Sequence, residues 1–157
     1  MDHYNLRTCY LPDLSGLHLH VYQFQNLLAR HRPALFQHLE ALGVEPVYVS
    51  QWFLSFFAVA CPLPMLLRIY DVIFLEGACE TLMRVALSLM QRNEKRIMAC
   101  TEFEDVMQLL LSRSLWDTYV PTNYPLPFPL TQFVAVRLTN YTDMRSTRTI
   151  LSTTLYL

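Results

Sequence analysis

The sequence predicts an all-α body over residues 1–119, followed by an irregular C-terminal tail over residues 120–157. Two observations carry the helical prediction. Apolar residues recur three and four positions apart through successive segments, which places them on one face of a helix. No comparable alternation of apolar and polar residues, the mark of a half-buried strand, appears before residue 120. A third observation sets the boundary. From Val120 onward the helical stripe disappears, and Pro121, Pro125, Pro127 and Pro129 arrive in close succession.

The first helix is expected over residues 16–31, where Leu17, Val21, Phe24, Leu27 and Leu28 form one stripe. Pro33 suits the first position of a second helix, because its missing amide would have had no helical acceptor there. Leu35, Phe36, Leu39 and Leu42 follow, and Gly43 is a natural stop just past the end. Val47 to Ala60 is apolar nearly all round, apart from Ser50, Gln51 and Ser55, and predicts a helix in the middle of a core or at an interface. Pro62-Leu63-Pro64 predicts a corner, with a further helix over residues 64–75 ended by Gly77. Residues 79–92 place Leu82, Val85, Ala86, Leu89 and Met90 on one helical face. Thr101-Glu102-Phe103-Glu104 reads as a capping box, in which the Thr hydroxyl accepts from a free amide and Glu104 reaches back. Phe103, Val106, Met107, Leu110 and Leu111 continue the helical spacing behind it. The tail is rich in Thr, poor in charge and alternates only weakly, as in Phe133, Val134, Ala135 and Val136. It is expected to lie outside the helical domain.

Composition excludes several classes. Hydrophobic residues make up 53% of the chain and charged residues 16%, against about 45–50% and about 25% in an ordinary domain. That composition argues against disorder for most of the length. It also predicts more apolar surface than one compact domain of this size hides. Gly16, Gly43 and Gly77 are the only glycines, so there is no glycine-rich phosphate cradle. A net charge of -1 gives no electrostatic footprint for nucleic acid. Cys9, Cys61, Cys79 and Cys100 stand far apart without a CxxC pair, and are expected as reduced, buried thiols. The opening residues Met1-Asp2-His3-Tyr4-Asn5 lack the apolar stretch of a signal peptide. Trp52 to Leu67 is the one transmembrane candidate; it is shorter than the ~20 apolar residues a span needs. Pro62 and Pro64 also break it, so no integral membrane span is expected.

Reactive constellations are sparse. His18 and His20, two apart on a helix, face different directions and cannot share a metal. His31 and His38 fall in different predicted helices, and neither HExxH nor GxSxG appears. Glu102, Glu104 and Asp105 begin a helix, where carboxylates stabilise free amides, and that reading outweighs acid–base work. No cofactor motif is present and no cofactor is expected. Arg68 and Asp71, three apart on a predicted helix, can pair. Within an apolar stretch they read first as a partly buried structural ion pair, and second as a polar element at a partner groove.

A longer series of motifs is more specific. Tyr4-Asn5-Leu6-Arg7 leads to Tyr10-Leu11-Pro12, Gly16-Leu17, Tyr22-Gln23-Phe24, Leu27-Leu28, Pro33 and His38-Leu39. Gly43-Val44 precedes Tyr48-Val49-Ser50-Gln51-Trp52-Phe53-Leu54, and Pro62-Leu63-Pro64 precedes Leu67-Arg68-Ile69-Tyr70-Asp71 and Phe74-Leu75-Glu76-Gly77. In order and spacing, residues 1–119 resemble the C-terminal half of a TBC domain, the GTPase-activating domain that acts on Rab proteins. Tyr70 stands where a Trp is usual in that family.

The resemblance implies an all-α, V-shaped, multi-helix domain with a groove that receives a GTP-bound Rab-family small GTPase. It implies a two-finger mechanism, with an Arg from an IxxDxxR motif and a Gln from a YxQ motif. An arginine finger is worth ~10³–10⁵ in rate. The resemblance places both motifs in the half of the domain that precedes this chain, and neither occurs here. Ile69 has no Asp three residues later, Tyr22-Gln23-Phe24 has Phe where Gln is needed, and Gln51 follows Tyr48 one residue too late. No catalytic residue is therefore carried over. The SQWF segment with Gln51 and Trp52, and the RIxD segment with Arg68 and Asp71, are carried over as partner-groove or scaffold residues. The expected role is an enzyme regulator, a GTPase activator represented by its finger-less half. A non-catalytic Rab-binding or interaction module is the alternative. The expected location is cytoplasmic, peripheral to endomembranes through the Rab. Self-association is a further expectation, with the apolar helix at 47–60 as the surface left bare.

Overall fold

Helical periodicity becomes six α-helices in the computed structural model, which describes residues 7–118. A 3-10 turn at Arg7–Tyr10 leads into α1 (Ser15–His31), α2 (Pro33–Ala41), α3 (Val47–Leu54), α4 (Leu63–Glu76), α5 (Ala78–Ala99) and α6 (Phe103–Leu111). A second 3-10 turn at Arg113–Trp116 closes the series, and the described residues contain no strand. The tail over 120–157, with its weak alternation at 133–136, lies outside the described residues. Among the described residues, no helix is long and apolar enough to cross a membrane.

The punctuation residues act as their chemistry dictates. Pro33 opens α2 at its first position. Gly43 ends it in the left-handed region at φ 69°, where a side chain would meet the following carbonyl. That conformation lets Val44 N–H reach back to Leu39 O at 2.9 Å and Gly43 N–H to Glu40 O at 3.0 Å. Two otherwise orphaned carbonyls are thereby satisfied. Gly77, at φ 107°, separates α4 from α5 with the same sign of φ. Gly16 serves contact rather than conformation: a Cβ there would sit against Thr8 Oγ1 and 2.8 Å from Cys9 N, so its absence lets α1 meet the first 3-10 turn.

The core is organised around α5, which packs against α1, α2, α3, α4 and the second 3-10 turn. Val85 through Met90 are buried without interruption. An aromatic chain crosses the rest of the core. Phe24 of α1 meets Phe53 edge-on at 6.1 Å, Tyr48 meets Trp52 at 5.1 Å, Trp52 meets Phe57 at 6.0 Å, and Phe57 meets Trp116 edge-on at 5.6 Å. Such pairs each add about 0.5–1.5 kcal/mol beyond their area.

Several expectations need correction. The helix expected over 47–60 stops at Leu54. Phe56 and Phe57 turn to φ 50° and 66°, and Phe57 N–H closes on Trp52 O at 2.9 Å. This is the arrangement that Gly43 makes, built here with an aromatic residue. The segment is also bare only in part: Tyr48, Val49, Trp52, Phe53 and Phe57 are buried, while Val47, Leu54 and Val59 are exposed. The capping box at 101–104 does not form. α5 runs on to Ala99 with Cys100 as its cap, α6 begins at Phe103 with Glu102 before it, and only Thr101 is left as connection. Of the expected α6 stripe, Val106 and Leu110 are buried while Phe103 and Leu111 are exposed.

Candidate functional site

α3 is short, and its two faces have different fates. Trp52 turns inward and is 3% exposed. Its indole Nε1–H donates to Leu110 O at 3.2 Å, which satisfies a carbonyl in the last turn of α6. Gln51 turns outward to solvent. Its main-chain carbonyl accepts Ser55 N–H at 3.1 Å and Ser55 Oγ–H at 2.7 Å. A shallow pocket opens between α3 and the end of α6, lined by Gln51, Trp52, Ser55, Val59, Leu111 and Trp116. The SQWF segment therefore presents one polar side chain at the rim of a pocket whose floor is aromatic.

Arg68 and Asp71 lie on α4 and do not line that pocket. They pair as their spacing predicts, with Arg68 Nη1 3.5 Å from Asp71 Oδ2. Their side chains are 43% and 55% exposed, so the pair is a surface one rather than the partly buried one expected. A pair so exposed contributes ~0–1 kcal/mol of stability. The reason is geometric. On α4 the buried positions are Met65, Leu66, Ile69, Val72 and Ile73; Asp71 falls on the opposite arc and Arg68 at the flank of the buried face.

Other polar groups carry more of the architecture than the sequence suggests. Arg84 of α5 bonds Glu76 at 2.6 Å and also Glu80, which ties the end of α4 to α5. The Glu80–Arg84 spacing of four is a readable signal. Asn93 is fully buried; its Nδ2–H donates to Leu89 O at 3.0 Å and Leu115 O at 2.9 Å, and its Oδ1 accepts from Arg96 at 3.0 Å. His38 of α2 brings Nε2 to 3.2 Å from Ile97 O and 3.1 Å from Cys100 O, closing the end of α5. Arg32 bridges to Glu94 at 3.3 Å. Nothing local in the sequence marks the Asn93 and His38 contacts.

The buried thiols of Cys9 and Cys61 and the buried Tyr48 hydroxyl are not activated. Cys9 and His20 meet in the interior, with Sγ 3.4 Å from Nδ1. Burial, with Cys79 nearby, pushes the Cys9 thiol up to about 11, and burial pushes Cys61 up to about 12. Burial likewise drives the Tyr48 hydroxyl well above its usual range. All three hold their protons at neutral pH. The four cysteines are free thiols; Cys9 and Cys61 are buried, Cys79 and Cys100 only partly so. Among the described residues, no group of three or more His, Cys, Asp or Glu is placed to hold a metal ion. The surface presents an outward amide beside a pocket lined by aromatic residues, and a separate exposed ion pair.

Comparison with known proteins places these features in a family context. The family model for the RabGAP TBC domain matches residues 1–141. The chain is 40% identical over 124 residues to the GTPase-activating protein GYP5 of Saccharomyces cerevisiae, covering 78% of this chain and 14% of that protein. It is equally similar to GTPase-activating protein GYP5 of Eremothecium gossypii, covering 15% of that protein. It is 39% identical over 107 residues to TBC1 domain family member 4 of Mus musculus, covering 68% of this chain and 8% of that protein. The chain thus spans less than a sixth of the length of these relatives.

Proposed function

The chain belongs to the RabGAP TBC domain family, and from that premise we propose that it is part of a GTPase activator for Rab-type small GTPases. The observation that supports this most directly is the 40% identity, across the helical body, with proteins named as GTPase-activating proteins.

This chain contributes scaffold and groove rather than chemistry. Neither IxxDxxR nor YxQ occurs in its 157 residues, so neither finger of the two-finger mechanism is supplied from here. Gln51 faces the GTP-bound Rab from the pocket rim, Trp52 holds that rim to α6, and Arg68 with Asp71 forms a second polar element on α4. The chain is a regulator component, catalytically silent by itself. The Rab brings it to the cytoplasmic face of endomembranes. The functional unit is the helical body over 1–119, and the division at that point rests on the loss of periodicity after it, within the stretch the family model matches. The missing fingers favour a second reading for the chain in isolation, namely GTP-dependent Rab binding without acceleration.

Single-turnover phosphate release from a panel of GTP-loaded Rabs, with the 157-residue chain added, tests both readings. The expected result is hydrolysis at the intrinsic rate, with GTP-dependent capture of at least one Rab that Gln51→Ala weakens. Clear acceleration would show that catalytic groups are present after all. Absence of GTP-dependent capture across the panel would remove the binding reading.

A further inference from the structure

The connection between α5 and α6 leaves a hydroxyl without the task its sequence suggests. Residues 101–105 are all exposed, the longest such run among the described residues. The backbone on either side of Thr101 is extended, with Cys100 at φ -77°, ψ 132° and Glu102 at φ -113°, ψ 146°. Because Glu102 rather than Thr101 precedes α6, the Thr101 hydroxyl caps no amide of that helix. Glu102, Glu104 and Asp105 follow Thr101 by one, three and four positions. Among the described residues, no ion pair engages any of these carboxylates. Glu104 and Asp105 complement the free amides in the first turn of α6, which accounts for two of the acids but not for the exposed hydroxyl ahead of them.

We propose that Thr101 is a phosphorylation site for an acid-directed Ser/Thr protein kinase, one whose cleft carries basic side chains beyond the acceptor position. Phosphoryl transfer depends on positioning, so the acceptor hydroxyl must reach the γ-phosphate of ATP without the body of the substrate in the way. An exposed, extended connection meets that demand. Unpaired carboxylates after it supply charge-assisted hydrogen bonds to Arg and Lys of the cleft. Elimination supports the assignment. Of the Ser and Thr residues described, only Thr101 and Ser114 have a carboxylate within the four positions that follow. Ser114 is half-buried, its Oγ lies 2.6 Å from Ser112 Oγ, and buried Leu115 and Trp116 come next. Ile97, Met98, Ala99 and Cys100 precede Thr101, so the adjoining residues carry no base for a base-directed kinase, and Glu102 excludes a proline-directed one. In the reaction Thr101 Oγ1 forms a bond to the γ-phosphorus of ATP and the bond from that phosphorus to the β-phosphate oxygen breaks. ADP leaves, and the hydroxyl proton passes to the kinase's catalytic Asp. The product carries roughly 1.5–2 additional negative charges at the α5–α6 connection. This inference is independent of the GTPase reading.

The test is incubation of the full 157-residue chain with magnesium ATP and a purified acid-directed Ser/Thr kinase, with sites mapped by mass spectrometry. Circular dichroism confirms that the chain and each variant are helical. The expected result is phosphate on Thr101 and none on Ser114. Thr101→Ala removes the Thr101 signal, and Thr101→Ser, which keeps the hydroxyl, retains it. Glu104→Gln combined with Asp105→Asn lowers the initial rate at least about tenfold, because the charge pairs with the cleft are lost. Base-directed and proline-directed kinases at the same activity leave Thr101 unmodified. A folded chain that takes no phosphate at Thr101 overturns the proposal. An unchanged rate in the doubly neutralised variant overturns it equally, as does equal modification of Thr101 by the other two kinase classes.

Discussion

Trp52 and Leu110, 58 residues apart, are joined by a hydrogen bond of 3.2 Å from the indole Nε1–H to the main-chain carbonyl. The contact fixes α3 to the last turn of α6 and so sets the wall and floor of the pocket beside Gln51. Trp52→Phe keeps an aromatic ring but leaves the Leu110 carbonyl without its donor. An unsatisfied buried acceptor costs about 1–3 kcal/mol, and the smaller ring adds a packing loss. Urea denaturation should show a lowered midpoint of that size with an unchanged slope. A midpoint equal to that of the unsubstituted chain would mean the bond contributes nothing.

The elements legible in the sequence are those with one apolar face and a chemical stop. α1 and α2 are of this kind, with Pro33 and Gly43 marking their ends. The expected α3 overruns because a stretch apolar nearly all round has no single stripe whose loss would mark a break, and Ser55 at its end is no helix breaker. Its end depends on Phe56 entering the left-handed region, which aromatic residues rarely do. Phe56 is held there by packing against the core and by stacking on Tyr10 at 6.5 Å. The expected α5 stops short of Ala99 because its inward stripe, Leu89, Asn93 and Ile97, passes through a polar residue. The site is half legible. The i,i+3 pairing of Arg68 and Asp71 is predictable, but its exposure follows only from where α4 packs.

Asn93 is expected to be the most sensitive polar position in the core. Its amide links α5 to the second 3-10 turn through Leu115 O, and its carbonyl orients Arg96, which bonds Ser114 O at 2.7 Å. Asn93→Ala removes the amide that ties Leu115 O to α5, leaving that carbonyl only the longer bond from Thr118 Oγ–H at 3.4 Å, and it removes an anchor for Arg96. A loss of about 1–3 kcal/mol is expected, the cost of one buried acceptor losing its main donor. Hydrogen exchange at the second 3-10 turn should accelerate more than in α1, because the tether lies at that end. Uniform acceleration would mean the effect is global rather than a lost tether.

Gly43 separates conformational cost from steric cost. A Cβ at this position would meet nothing within 4 Å, yet φ is 69°. Gly43→Ala therefore introduces no clash, and its penalty is the left-handed backbone alone, about 1 kcal/mol. Gly43→Asn should lose less, because Asn tolerates that region. Thermal unfolding of the three chains side by side checks the ranking Gly, Asn, Ala; equal stability of the Asn and Ala variants would contradict it.

The buried thiols make stability fall in alkali. Burial raises Cys61 to about 12 and, with Cys79 nearby, Cys9 to about 11, while a thiol in the unfolded chain ionises near ~8.5. Above about pH 9 the folded chain thus keeps protons that the unfolded chain has released. Stability declines wherever the folded state binds more protons. The contribution is fully present below about pH 8 and is lost as the pH rises toward the folded values. Denaturation midpoints should hold steady near neutrality and drop above about pH 9. Cys61→Ala, less stable to begin with, should drop less over the same range. The same burial predicts the order of alkylation by iodoacetamide in the native chain, Cys79 and Cys100 before Cys9 and Cys61. Mass spectrometry showing Cys61 modified as fast as Cys100 would mean that its thiol reaches solvent, and the alkaline argument would fail with it.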